Sequence, residues 1–255
     1  MRLKNKRALI TGSANPRGIG FAIAKVFARE GADLLLHYAH QPKEMVEAAI
    51  GSLAQYKTRI TAVKANIIEP EDVSRMIAAA ARELGGLDIL VNNSGVCVWE
   101  TLEEITEAGL RKMTDTNLLG TIRCSREAAI HMREHGVEGR IINISSCNAR
   151  RPNPGMAGYG GVKAGIDQFT YALALELAPC RITANLVWPG YVITDINQRL
   201  TDGGLENIMK TIPLGRLATT EDIGRAALFF AEDANRAVTG AVIKVDGGAF
   251  IKSLQ

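Results

Sequence analysis

Arg7-Ala8-Leu9-Ile10-Thr11-Gly12-Ser13-Ala14-Asn15-Pro16-Arg17-Gly18-Ile19-Gly20-Phe21 is the stretch that decides the fold. Residues 7–10 read as a short strand, 11–20 as a loop and 21–30 as a helix that Gly31 ends. Glycines at such a turn let the backbone bend tightly and come close to a pyrophosphate. The amides that open the following helix then face the negative charge. Gly12, Ser13, Asn15, Arg17, Gly18, Ile19 and Gly20 are the candidate dinucleotide contacts. Plain turn chemistry is the competing reading, and the flanking strand and helix favour the nucleotide.

The same alternation runs outward through the chain. Strand signals at 33–38, 60–65, 87–92, 140–144, 182–187 and 241–245 are separated by helical patterns at 42–56, 71–83, 111–131, 159–177 and 223–230. Leu87-Asp88-Ile89-Leu90-Val91-Asn92 is mostly apolar, the mark of a strand covered on both faces. Seven strands with intervening helices predict an α/β fold: one Rossmann-type doubly wound domain over 1–255, a parallel sheet with helices on both sides.

Composition narrows the function classes. The 255 residues are 47% apolar and 22% charged, with a net charge of +3, which gives no argument for nucleic acid as a partner. Cys97, Cys124, Cys147 and Cys180 are widely spaced, as free thiols in a reducing compartment would be. His131 and His135 lie a turn apart without a third ligand at metal spacing, so no metal is expected. The basic start, Met1 to Lys6, is followed by no signal-peptide core, and no apolar run reaches roughly 18 residues. A cytoplasmic protein without membrane partners is the expectation.

Three further strand ends bear on a dinucleotide. The second strand closes on Leu36-His37-Tyr38-Ala39-His40 with no carboxylate to accept from ribose hydroxyls and repel a 2′-phosphate. Arg17 is placed to meet such a phosphate bidentately, with His40 or Lys43 assisting, unless it is merely solvated. NADP(H) is therefore favoured over NAD(H), with Tyr38 beside the adenosine. Asn66 follows the third strand, as an adenine contact or as an Asx-turn. Asn92-Asn93-Ser94-Gly95 follows the fourth and lets a ligand lie across the sheet edge.

Chemistry is carried by Tyr159-Gly160-Gly161-Val162-Lys163, with Ser146 thirteen residues before the tyrosine. Residues four apart share one helix face. A phenol has a reference pKa near ~10, and a nearby cation brings it towards the working range. With a hydroxyl beside it, the set can hand a proton to a carbonyl oxygen. Cys147 reads as a pocket wall rather than a nucleophile, and Trp188 as core with nicotinamide stacking as the rival.

Together the Gly12…Gly18-Ile19-Gly20 loop, Asn92-Asn93-Ser94-Gly95, Asn117, Ser146, Tyr159, Lys163, Pro189-Gly190 and Asp246-Gly247-Gly248 resemble the short-chain dehydrogenase/reductase family. The resemblance runs from Thr11 to Gly248, and its pattern is most similar to 3-oxoacyl-thioester (acyl-carrier-protein) reductases. It implies that Tyr159 protonates the carbonyl oxygen, Ser146 steadies that oxygen, and Lys163 lowers the tyrosine pKa and holds the nicotinamide ribose. It implies that Asn117 positions a relay water and that Asn93, Gly95, Pro189, Gly190 and Thr194 line the cofactor. A substrate lid at 195–213 and a homotetramer follow from the same source. Two features depart from the pattern: the glycine loop is two residues longer than the common form, and Asn66 stands where many relatives carry aspartate. Enoyl-reducing relatives also have unusual glycine loops, but their tyrosine-to-lysine spacing is longer. Substrates consistent with the set are a 3-oxoacyl thioester, a cyclic ketone, a steroid or a sugar. A non-enzymatic dinucleotide sensor is the alternative on the same fold.

Overall fold

Strand β1 (Arg7–Ile10) pairs on one side with β2 (Asp33–Tyr38) and on the other with β4 (Ile89–Asn92), both in parallel. With β3 (Ile60–Lys64), β5 (Arg140–Ile144), β6 (Thr183–Pro189) and β7 (Val242–Val245) the sheet has the order β3-β2-β1-β4-β5-β6-β7. All its pairings are parallel, as the alternating pattern predicts. This computed structural model describes residues 1–194 and 205–252. The central strands β4, β5 and β6 are buried at every position, which explains why their sequences lack a polar alternation.

Helices cover both faces. On one, α1 (Ile19–Arg29), α2 (Lys43–Leu53) and α8 (Thr220–Ala231) bury Phe27, Leu53 and Phe230 against the sheet. On the other, α3 (Pro70–Leu84), α5 (Gly120–Glu134) and α6 (Ala157–Leu177) bury Met76, Met132, Leu173 and Leu177. Burying such side chains contributes about 1.5–3 kcal/mol each. Leu173 and Leu177 belong to this core. The start of α8 is fixed by a capping box in which Thr219 and Asp222 each satisfy the other's backbone.

The helix predicted at 111–131 is three pieces: α4 (Glu107–Met113), a π-helical turn (Thr114–Leu119) and α5. The widened turn seats the Asn117 side chain against the Val96 backbone, and this long-range bond overrides the helical period. The strand predicted from 87 begins at Ile89, although the Asp88 backbone donates to the Arg7 carbonyl and accepts from Arg140 N–H, both at 2.9 Å, and its side chain accepts from Arg7 Nε at 2.7 Å. Of the predicted lid, 195–204 lie outside the described residues; α7 (Leu205–Thr211) follows them, and α9 (Ala249–Lys252) is the last helix described. Among the described residues no helix is long and apolar enough to cross a membrane, and no His/Cys/Asp/Glu cluster could hold a metal.

Candidate active site

The carboxyl ends of β1 and β4 lie side by side where the strand order reverses, and the glycine loop rises from this point. Gly12 has φ +63, and a Cβ there would come within 2.9 Å of the Ser94 hydroxyl. A Cβ on Gly20 would overlap the Asn93 amide and sit 2.5 Å from the Gly12 carbonyl carbon's oxygen, so only glycine lets α1 come this close. Ser13 is buried and works inward: its hydroxyl donates to the Ile10 carbonyl at 2.7 Å and accepts from His37 N–H at 3.2 Å. The Asn15 side chain accepts from the Arg17 amide at 3.1 Å, and its carbonyl accepts from Gly18 N–H at 2.9 Å. Those bonds shape the crest of the loop, on which Arg17 is exposed. Ile19 opens α1 and packs on the core. The N-terminus of α1 has no side-chain cap and no acidic residue in its first turn, so it fits an anionic group such as a dinucleotide phosphate.

His37 on β2 is a functional residue that sequence reasoning missed. It is 2% exposed, its Nδ1 accepts the Gly12 amide at 2.9 Å, and its Nε2 meets the Ala65 carbonyl at 3.0 Å. Burial drives its pKa down to about 4, so the neutral ring holds the glycine loop against β2 and β3. Tyr38 ends β2 half-buried, and no carboxylate stands among Tyr38, Ala39 and His40. Asn66 forms an Asx-turn: its Oδ1 accepts from Ile68 N–H at 3.2 Å at the entrance to α3.

The segment after β4 is tied down on both sides. The Asn93 amide donates to the Thr11 carbonyl at 2.9 Å and the Gly12 carbonyl at 3.1 Å, so it braces the glycine loop. Gly95 lies against Asn117, where a Cβ would be 3.3 Å from Oδ1. Asn117 is fully buried; its Oδ1 accepts from Val96 N–H and its Nδ2 donates to the Val96 carbonyl, both at 2.8 Å. Both ends of that side chain are therefore committed to the Val96 backbone.

Ser146, Tyr159 and Lys163 are brought together at the carboxyl end of β5. Ser146 leaves the strand with extended backbone, caps a 3₁₀ turn (Cys147–Ala149), accepts from Asn148 N–H at 3.1 Å and lies near the Tyr159 phenol. Lys163 is 5% exposed; its Nζ donates to the Ile144 carbonyl at 2.9 Å and lies 5.7 Å from the Tyr159 ring centre. Burial lowers the ammonium to about 8, against the raising influence of Asp167. Burial raises the phenol above its ordinary value, and the Ser146 hydroxyl is what pulls it back. The same burial that lifts the phenol weakens the neighbouring Lys163 cation.

Pro189 ends β6, and Gly190 N–H donates to the Val245 carbonyl at 3.0 Å, fixing the turn beside Asp246. Thr194 is half-buried and directly precedes the undescribed segment. A small recess between the Ser146 turn and Pro189-Gly190 is lined by Cys147, Arg151, Asn153 and Tyr191. Cys147 is buried, its thiol pushed up to about 12, as a wall residue would be.

A family model described as enoyl-(acyl carrier protein) reductase matches residues 12–249. The 3-oxoacyl-[acyl-carrier-protein] reductase FabG of Staphylococcus aureus is 36% identical over 246 residues, covering 96% of this chain and 98% of that protein. A short chain dehydrogenase from Burkholderia cenocepacia, crystallised in complex with NADP, superposes with a TM-score of 0.90 at 32% identity, over 98% of this chain and 99% of that one. The chain belongs to the short-chain dehydrogenase/reductase family. A Serratia marcescens short-chain dehydrogenase/reductase matches equally well, with a TM-score of 0.90, 33% identity, and 98% and 100% coverage. The protein is thus a nicotinamide-dependent oxidoreductase on a Rossmann-type sheet.

As a short-chain dehydrogenase/reductase it carries residues around the site that sequence reasoning passed over. Cys97 lies close enough to Tyr159 and Lys163 to act on both. Trp99, 52% exposed, rests on Gly155, whose missing side chain makes room for the indole. Asp167 is fully buried one turn beyond Lys163. Its signal was in the sequence, since 159, 163 and 167 recur at helical spacing.

Proposed function

We propose that this enzyme reduces a ketone to a secondary alcohol with NADP(H), a 3-oxoacyl thioester being the first substrate class to test. The observation that carries this reading is the convergence of Ser146, Tyr159 and Lys163 at the carboxyl end of β5, with Lys163 Nζ 5.7 Å from the Tyr159 ring centre and anchored on the Ile144 carbonyl at 2.9 Å. A protonated Tyr159 is an acid in place, which suits reduction more than oxidation. Ser146 orients a carbonyl oxygen and steadies its developing negative charge. Tyr159 gives its proton to that oxygen, and Lys163 returns a proton to Tyr159. Gly12, Gly18, Gly20 and the α1 N-terminus would hold the pyrophosphate, Arg17 a 2′-phosphate, and Pro189-Gly190 the nicotinamide side. When bound, the nicotinamide supplies the hydride.

The four-residue Tyr159–Lys163 spacing supports carbonyl rather than enoyl reduction, and the S. aureus relative's name supports the thioester. Cyclic ketones, steroids and sugars suit the same machinery, as does the reverse reaction. A dinucleotide sensor has no need of the assembled Ser146-Tyr159-Lys163 set. A homotetramer and a cytoplasmic location rest on the family resemblance, and light scattering tests the first.

The test is NADPH oxidation with a short 3-oxoacyl thioester and, separately, a small cyclic diketone, with Tyr159→Phe as control. Thioester turnover that the substitution abolishes supports the acyl reading. Tyrosine-dependent turnover of the diketone alone moves the substrate to the cyclic ketones. Tight NADPH binding with no hydride transfer to either, in native protein, sinks the proposed reductions of both.

A further inference from the structure

Tyr159, Lys163 and Asp167 recur every four residues along α6, so one helix face carries all three. Asp167 is fully buried, and a buried carboxylate is costly unless opposite charge and hydrogen bonds meet it. Its Oδ1 accepts the Trp188 indole N–H at 3.1 Å. Its Oδ2 accepts no hydrogen bond and lies 4.0 Å from Nε of Arg150. The neighbouring Ser145 hydroxyl donates to the Lys163 carbonyl at 3.2 Å.

These neighbours belong to three different segments of the site. Arg150 closes the 3₁₀ turn that Ser146 opens. Trp188 directly precedes Pro189-Gly190 on β6. Lys163 is one turn back on α6. We infer that Asp167 is a positioning residue for the Tyr159–Lys163 pair: one turn beyond Lys163 on the same helix face, it is the carboxylate placed to meet the ammonium, and its contacts join the Ser146 turn, α6 and the Pro189-Gly190 turn into one frame. This rests on the carbonyl-reduction reading of the site.

Few charges face these groups. Asp167 acts on Lys163, Arg150 and Lys163 act on Asp167, and the Cys97 thiol, its pKa raised by burial, is a neutral neighbour of Tyr159 and Lys163. Burial pushes the Asp167 carboxyl up and the Lys163 ammonium down, and each charge offsets the other's penalty. An acid here for the Trp188 bond alone would not need Lys163. That difference is measurable without turnover.

The experiment is a thermal double-mutant cycle of Asp167→Asn and Lys163→Met, joined to pH profiles of NADPH oxidation with the thioester and diketone probes. Asp167→Asn lowers the midpoint of the native background by about 2–4 °C and leaves unchanged, or raises, that of Lys163→Met. The same loss in both backgrounds overturns the inference. In turnover, the alkaline limb that loss of the Lys163 proton would give the native enzyme is expected to move to lower pH in Asp167→Asn, because the Asp167 charge raises the buried ammonium. Trp188→Phe removes the bond to Oδ1, keeps the charge, and leaves that limb in place. An alkaline limb that Asp167→Asn does not move overturns the inference. If the native protein turns over neither probe, the carbonyl-reduction reading is what fails, and the thermal cycle alone decides on Asp167. If Asp167→Asn alone does not fold, a folded double variant supports the coupling and an unfolded one overturns it.

Discussion

The Gly12 amide donates to Nδ1 of His37 at 2.9 Å, so the conformation of the glycine loop is tied to the protonation of a ring in β2. Only the neutral Nε2–H tautomer satisfies both this bond and the one to the Ala65 carbonyl. Burial lowers the folded-state pKa to about 4 from an ordinary 6.5, with the Ala65 bond and the Asp72 charge opposing it. The unfolded state therefore binds more protons between those two values. The stabilisation is fully present above pH 6.5 and is lost as pH falls towards 4, on the order of 3 kcal/mol in all. Calorimetric midpoints between pH 4 and 7 should fall with acid in the native protein and fall less in His37→Gln. Equal acid sensitivity would remove His37 from this role.

What the sequence made legible follows from how local each determinant is. The 7–30 strand, loop and helix depend on glycines and apolar spacing within one stretch, and Tyr159 with Lys163 on one helical turn. His37 acts only because parallel pairing sets β2 between β1 and β3, which brings its ring to both Gly12 and Ala65. The break at 114–119 depends on Val96, 21 residues from Asn117. Asn93 was placed correctly in the loop cluster, but its amide braces Thr11 and Gly12, a partner choice that spacing does not encode.

Gly20→Ala tests the close approach of α1. The added carbon meets the Asn93 amide and the Gly12 backbone, neither of which is the free end of a flexible side chain. Overpacking of this kind costs about 1–3 kcal/mol. The thermal midpoint should drop by several degrees and NADPH affinity, read by nicotinamide fluorescence, by about tenfold or more. Native-like affinity would mean the loop can shift without loss.

Arg17→Ala separates the two dinucleotides. A charge-assisted bond to a phosphate contributes about 1.5–3 kcal/mol, at least roughly tenfold in kcat/KM. The loss should fall on NADPH and spare NADH, measured with the same ketone. A uniform loss would place Arg17 at the pyrophosphate, and no loss would leave it as a solvated loop residue.

Asn117→Ala leaves the Val96 N–H and carbonyl without the two 2.8 Å bonds they now have. An unsatisfied buried group costs about 1–3 kcal/mol. The variant should lose several degrees in midpoint and should free the β4 loop that carries Cys97 and Trp99, raising KM for the ketone together with a lower kcat. Hydrogen exchange confined to residues 93–99 would locate the effect. Unchanged protection there would show that the π-helical turn holds without its side chain.

Ser146→Ala removes a hydroxyl that accepts from Asn148 N–H and lies near the Tyr159 phenol. Because the Ser146 hydroxyl is the neighbour that lowers the phenol's pKa, its loss drives the tyrosine further up and makes it a weaker acid. The carbonyl oxygen also loses a donor, an effect of about 10²–10³ in kcat where such donors have been removed. NADPH affinity should hardly change, since no cofactor-binding role falls to Ser146. A kcat within a few-fold of native would mean that Tyr159 alone supplies both the proton and the stabilisation, and the paired reading of Ser146 and Tyr159 would not stand.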